Sequence, residues 1–155
     1  MDKYCFTDLE RRFLEKQPTP LAVYQYVNRH VYTLALSDGL LALFRYPERD
    51  EAYVISNQNP LNNTHPDDAA RIGDAVHQFA VEDGEYDVIF RSNMHQGDDC
   101  RIVHAIGKHV YTDDGVRLAY VWFTDEGEYT EDESTQAATL NKMFNHALHE
   151  ESFLK

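Results

Sequence analysis

Eight histidines and 27 acidic residues offer several places where chemistry could be assembled. The segment His65-Pro66-Asp67-Asp68 puts an imidazole beside two carboxylates, the raw material of a catalytic His/Asp pair or of a metal site. The same residues also obey a plain structural rule. Pro66 suits the first turn of a helix, where its missing N–H would have no helical partner. His65 then falls at the cap, and Asp67 and Asp68 lie against the positive end of the helix dipole. Capping accounts for all four residues, so the structural reading is preferred.

His95, Cys100, His104 and His109 form a ligand set on paper. On one extended strand, at ~3.3 Å per residue, Cys100 and His104 would stand about 13 Å apart. His109 would point to the opposite face from His104. No paired-cysteine motif supplements them, and a metal site from this strand is disfavoured. The sequence contains no Gly-x-Ser-x-Gly turn and no glycine-rich phosphate loop. The acidic stretch Asp125–Ser134 lacks the spaced oxygens and closing Glu of a calcium loop and reads as a solvated surface.

These residues need a scaffold, and the composition describes one. The 155 residues suit one domain, and 43% of them are hydrophobic, enough for a core without disulfides. A formal charge of −13 repels phosphate backbones and anionic lipid, which argues against nucleic-acid and membrane-surface roles. The longest apolar runs, Val116–Phe123 and Leu40–Phe44, are too short to span a bilayer. The charged N-terminus has no signal-peptide core, and two isolated cysteines, Cys5 and Cys100, suit a reducing compartment. The expected location is cytoplasmic.

Along the chain, residues 3–16 carry Phe6, Leu9 and Phe13 at helical spacing and predict an amphipathic helix that needs an apolar surface. Pro18 and Pro20 end it. "LAVYQYV" and "VYTLAL" predict a hairpin broken at Asn28–His30, and Ser37 or Asp38 caps a short helix. Residues 47–63 read as loop, with at most a short extended piece near Tyr53–Ile55. A helix follows from Pro66 to about Val81, with Ala69, Ile72, Val76 and Phe79 on one stripe and Gly84 near its end. Strands at 85–94, 100–112 and 116–125 then form an antiparallel meander, with Asp114–Gly115 a strong hairpin signal. In the last strand Ala119, Val121 and Phe123 alternate with Leu118, Tyr120 and Trp122, so both sheet faces are expected to be covered. Thr130 and Glu133 fit a capping box for a terminal helix, with Leu140, Phe144, Ala147 and Leu154 on a rough seam.

Element order and motif together resemble a PAS domain. The resemblance covers about Leu21 to Glu126 and rests on "HPDDAARI" (65–72), "YDVIFR" (86–91) and "DDGVRLAYVWFTD" (113–125). After Asp125, "EGEY" stands where that family often has an Ile/Val-Thr pair. The resemblance implies an α+β fold, a five-stranded antiparallel sheet with short helices on one face, flanked by N- and C-terminal helices. Three parts follow: a flanking helix and linker at 1–20, the PAS-like domain at 21–126, and a signalling helix at 127–155.

It also implies a bacterial sensory or dimerisation module, itself no enzyme, relaying to a GGDEF-type diguanylate cyclase or histidine kinase output. Small-ligand binding between sheet and helices would be expected, with Tyr86, Val88, Phe90, Val121 and Phe123 lining a pocket closed by Ile72 and Phe79. Arg91 and His104 are the polar groups nearest this wall and could orient an anionic ligand. The same side chains could instead simply fill the core. Phe6, Leu9, Phe13, Leu118, Tyr120 and Trp122 are the expected flanking-helix and homodimer surface. His77, where some PAS domains carry a haem ligand, lies about 100° off the apolar stripe, so haem is disfavoured. Residues 53–63 hold no cysteine for flavin-adduct photochemistry. Two rival readings remain: a cone-shaped dehydratase or isomerase using His104 with a helix acid, and a ligand-free structural dimerisation domain.

Overall fold

The computed structural model describes residues 2–130. Its order is α1 (Asp8–Glu15), β1 (Leu21–Val27), β2 (His30–Leu36), α2 (Asp38–Phe44), α3 (Arg49–Gln58), α4 (Pro66–Val81), β3 (Tyr86–Asn93), β4 (Cys100–Tyr111) and β5 (Arg117–Tyr129). The strands form one antiparallel five-stranded sheet in the order β2-β1-β5-β4-β3. The α+β class and the meander expected from the sequence are both present.

Local chemistry explains most boundaries. Asn28 and Arg29 both take positive φ (55° and 60°), the geometry of the two-residue turn whose twist matches its strands. Ser37 caps α2 through its Oγ, which accepts from the Leu40 N–H (3.1 Å) and also from the Leu21 N–H (2.9 Å). His65 caps α4, its Nδ1 accepting from the Asp67 N–H at 3.1 Å. The first helix is shorter than the 3–16 expected. It starts after Thr7, which forms a capping box with Glu10.

Residues 49–58 are helical, where the sequence suggested loop. Their buried face is Ala52 and Ser56, one turn apart and too small or polar to register as an apolar stripe, while Val54 is exposed. Tertiary contacts hold this helix. The Tyr53 hydroxyl accepts from the Leu36 N–H (3.0 Å) and Asn57 Oδ1 from the Thr33 N–H (2.9 Å), so α3 satisfies the free edge of β2. At the other end of the sequence, β5 continues to Tyr129, past the strand end expected at Asp125. A bulge allows this, because Ile102 pairs with Gly127 but Val103 with Asp125, leaving Glu126 unopposed. The terminal helix predicted from Thr130 lies outside the described residues.

The opposite sheet edge, β3, is covered by the loop into α4. The His65 N–H donates to Arg91 O (2.9 Å), the Asn93 N–H to Asn63 O (2.7 Å), and the Arg91 N–H to Asp68 Oδ2 (2.7 Å). Asp68, 3% exposed, also accepts from Arg91 Nε (3.1 Å) and Nη2 (2.7 Å). Asp68 is therefore more than a dipole-matched acid.

Both faces are covered as the last strand implied. On the outer face Leu21, Val23, Leu34, Ala35 and Leu118 are buried, with Tyr120 and Trp122 half-buried. Tyr4, Phe6 and Leu14 lie on them, and Gln25 Oε1 accepts the Tyr4 N–H (2.7 Å). The packing stripe differs from the expected Phe6/Leu9/Phe13, since Leu9 and Phe13 are 61% and 65% exposed.

Burial alone would raise the Asp68 pKa, but the Arg91 hydrogen bonds and charge outweigh it and hold the carboxyl below its ordinary value. Its stabilising contribution is thus complete above the unfolded carboxylate pKa and lost as pH falls through the folded one. Asp68→Ala leaves Arg91 unpaired and is expected to cost about 3–5 kcal/mol in urea unfolding at neutral pH, and less in acid.

Candidate functional site

Between the inner sheet face and α2–α4 lies a partly open cavity of about 120 Å³. Register explains its position. Tyr24, Ala119 and His109 share one row across β1, β5 and β4, and Ala22, Val121, Gly107 and Tyr86 share the next. Of the small residues in these rows, Ala119 lines the cavity and keeps its floor low, while Gly107 is covered by Phe79. Phe79 of α4 settles on Gly107, where a Cβ would come within 3.2 Å of its ring and 3.0 Å of Tyr86 Cβ. Leu36, Leu40, Phe44 and Ile72 form much of the apolar wall.

Of the pocket residues expected from the sequence, Ile72, Phe79, Tyr86, Phe90, Val121 and Phe123 do line the cavity. Val88 is buried in the same core but does not reach it. Arg91 and His104 do not line it, which corrects the expected polar end. Val103 and Ala105 face the inner core, so alternation turns His104 to the outer face. There His104 Nε2 lies 2.5 Å from Asp87 Oδ1, and Nδ1 lies 3.6 Å from Glu126 Oε1. Its acidic neighbours are strand residues and not a helix acid. The Arg91 guanidinium is committed to Asp68 and stacks over Tyr129.

The polar groups that do reach the cavity come from segments whose role the sequence did not reveal. Tyr46, Asn62 and Asn63 form one end, and the Tyr46 oxygen accepts from Asn62 Nδ2 (2.7 Å) and Asn63 Nδ2 (3.0 Å). Tyr24 and Ser56 line it too, and burial pushes the Tyr24 hydroxyl pKa well up. Only the Asn62–Asn63 pair just before the helix cap hinted at a polar surface there.

His109 and Arg117 also line the cavity, bound to the last turn of α4. The imidazole stacks on Phe79 at 4.1 Å, its Nε2 meets Phe79 O at 2.9 Å, and Arg117 donates to Ala80 O. With Nε2 donating, Nδ1 is an acceptor, and it is buried without a partner. Burial and the neighbouring Arg117 lower the His109 pKa, against the opposing pull of the Phe79 and Glu82 backbone and Asp83.

Among the described residues no carboxylate lines the cavity, and the one cationic lining side chain, Arg117, is paired to Asp83 at 3.1 Å. Among the described residues no three His, Cys, Asp or Glu side chains form a group able to hold a metal ion. His77 is exposed on α4, as its helical phase predicts. Cys5 and Cys100 both lie away from the cavity wall. An apolar cavity of about 150 Å³ takes benzene. The present space therefore suits one ring, and neither the volume nor the lining fits a three-ring flavin with a cysteine nucleophile.

No family model and no curated protein matches the chain. Solved structures do resemble it. The LOV protein of Rhodobacter sphaeroides superposes with a TM-score of 0.62 at 12% identity, covering 85% of this chain and 74% of that one. The PAS domain of a Colwellia psychrerythraea protein gives 0.58 at 14% identity, over 78% and 98%. The LOV domain of the Erythrobacter litoralis blue-light activated histidine kinase gives 0.54 at 15%, over 72% and 99%. The five-stranded sheet, the helices on its inner face and these likenesses define the class: the chain has a PAS fold.

A base with a lowered pKa stabilises the folded state above its unfolded value, near 6.5, and loses that contribution as pH falls through the folded one. The melting temperature should drop from about pH 6.5 downward, with NMR placing the His109 midpoint below the ordinary histidine value. His109→Gln should flatten that part of the profile.

Proposed function

We propose that this chain is a sensory module that holds a small molecule in the cavity between sheet and helices and passes its presence to flanking helices. The observation carrying this reading is the cavity itself. A purely structural domain would gain stability by filling it, since Ala119 in its lining leaves space where a larger side chain would pack. The filled-core reading gives no reason for that space. The acid–base enzyme reading has no pair in the cavity to work with.

A route outward begins at α3. Ala52 and Ser56 face the cavity, and Tyr53 of the same helix donates to Glu15 Oε2 of α1 (2.8 Å). Arg49 adds a bond to Glu15 O (3.2 Å) and a further one to Asp38. A ligand that shifts α3 would therefore move the N-terminal helix. Exposed Leu9 and Phe13 on that helix supply an apolar surface for a second copy, giving a homodimer. A histidine kinase or GGDEF-type output is the partner this reading favours, as the Erythrobacter litoralis domain belongs to a histidine kinase by name. No helix among the described residues is long and apolar enough to cross a membrane, which agrees with a cytoplasmic setting.

Native mass spectrometry of the full chain should show a small molecule retained, or melting temperature should rise with compounds from a metabolite library. Ala119→Leu should abolish both while remaining folded. Unaltered ligand response in that variant would overturn the cavity as the sensing site. Sedimentation should give twice the chain mass, reverting to a monomer with Leu9→Glu and Phe13→Glu together.

A further inference from the structure

We infer that the cavity selects an uncharged, single-ring compound carrying one hydrogen-bond acceptor, such as a ring carbonyl compound, and that the Tyr46 hydroxyl is the donor that reads it. The inference rests on the ligand-binding reading above and deepens it.

Hydrogen-bond accounting at the polar end leads to this assignment. A phenolic oxygen has one proton to give and can accept from neighbours. At Tyr46 the Asn62 and Asn63 amides both donate to that oxygen, at 2.7 and 3.0 Å. Among the described residues no acceptor stands within hydrogen-bonding distance of the Tyr46 proton. Tyr46 is only 8% exposed, so the donor is largely shielded from bulk water and lines the cavity. A buried donor left unmade costs free energy that a ligand oxygen recovers. The ring of Tyr46 stacks on His95 at 4.6 Å and its oxygen is held by the two amides, which keeps the side chain in one orientation before a ligand arrives.

Charge and size narrow the class. With no carboxylate among the described lining residues, a cation would be buried unpaired. Among the described lining residues an anion would find only the Arg117 guanidinium, already paired to Asp83 and bound to Ala80 O. The chain's formal charge of −13 also opposes anion approach. The ligand is therefore neutral. A volume of about 120 Å³, somewhat below the about 150 Å³ that takes benzene, holds no more than one ring. Aromatic walls from Phe44 and Phe123, which meet edge to face at 5.5 Å, suit a planar ring.

Acetophenone and ethylbenzene make the test, because they share shape and differ in the acceptor. Calorimetric titration of the full chain should show acetophenone binding about tenfold tighter, the worth of one net hydrogen bond. Its carbonyl carbon resonance in the complex should lie downfield of that in the Tyr46→Phe complex. In Tyr46→Phe that advantage should vanish while ethylbenzene binding is unchanged. Removing the amides instead, with Asn62→Ala and Asn63→Ala, should preserve the preference because the donor remains; this separates recognition from any loss of stability in Tyr46→Phe. Equal binding of the two compounds to the unaltered protein overturns the inference and leaves the cavity reading standing. Binding of neither overturns both. A preference that survives in Tyr46→Phe assigns the donor elsewhere and overturns the role of Tyr46.

Discussion

One buried carboxylate organises the sheet's exposed side. Asp68 sits at the start of α4 and takes a backbone N–H and two guanidinium bonds from Arg91. That single group ties the helix to the edge strand, satisfies an orphan edge donor and neutralises two charges that would each be costly alone. Because α4 is pinned there, Ile72 and Phe79 arrive over the inner face at fixed height. The cavity under them is a consequence of this clamp at one end and of the Phe79–Gly107 seat at the other.

The open sheet is closed on every side by different means. The β3 edge is met by the loop before α4, the β2 edge by Tyr53 and Asn57 of α3, and the outer face by the N-terminal segment. Two of these three covers touch the cavity or its walls. Edge protection and the cavity wall are thus built from the same segments.

Much of this architecture was legible in the residues. His65, Pro66 and Asp67 obey capping chemistry that needs no distant partner, and they start a helix, whereas the role of Asp68 depends on Arg91 across the sheet edge. The paired alternation of Leu118, Tyr120 and Trp122 against Ala119, Val121 and Phe123 implied two covered faces, and both are covered. The cavity floor was half legible: six of the expected lining residues reach it, because strand alternation fixes which side chains share a face. That rule also turns His104 outward. The expectation that it faced the cavity failed because the phase of β4 relative to the inner face is set by pairing across the sheet.

The sequence by itself determined what depends on neighbours along the chain. Caps, turns, strand alternation and the apolar stripe of α4 all act over a few residues, where local sterics and hydrogen bonding decide. Tertiary structure alone decided that residues 49–58 form a helix, since its small buried face and its Tyr53 and Asn57 contacts have meaning only against the β2 edge. It also decided which polar groups face the cavity. Tyr46, Asn62 and His109 come from separate segments brought together by packing, and no spacing along the chain encodes that meeting.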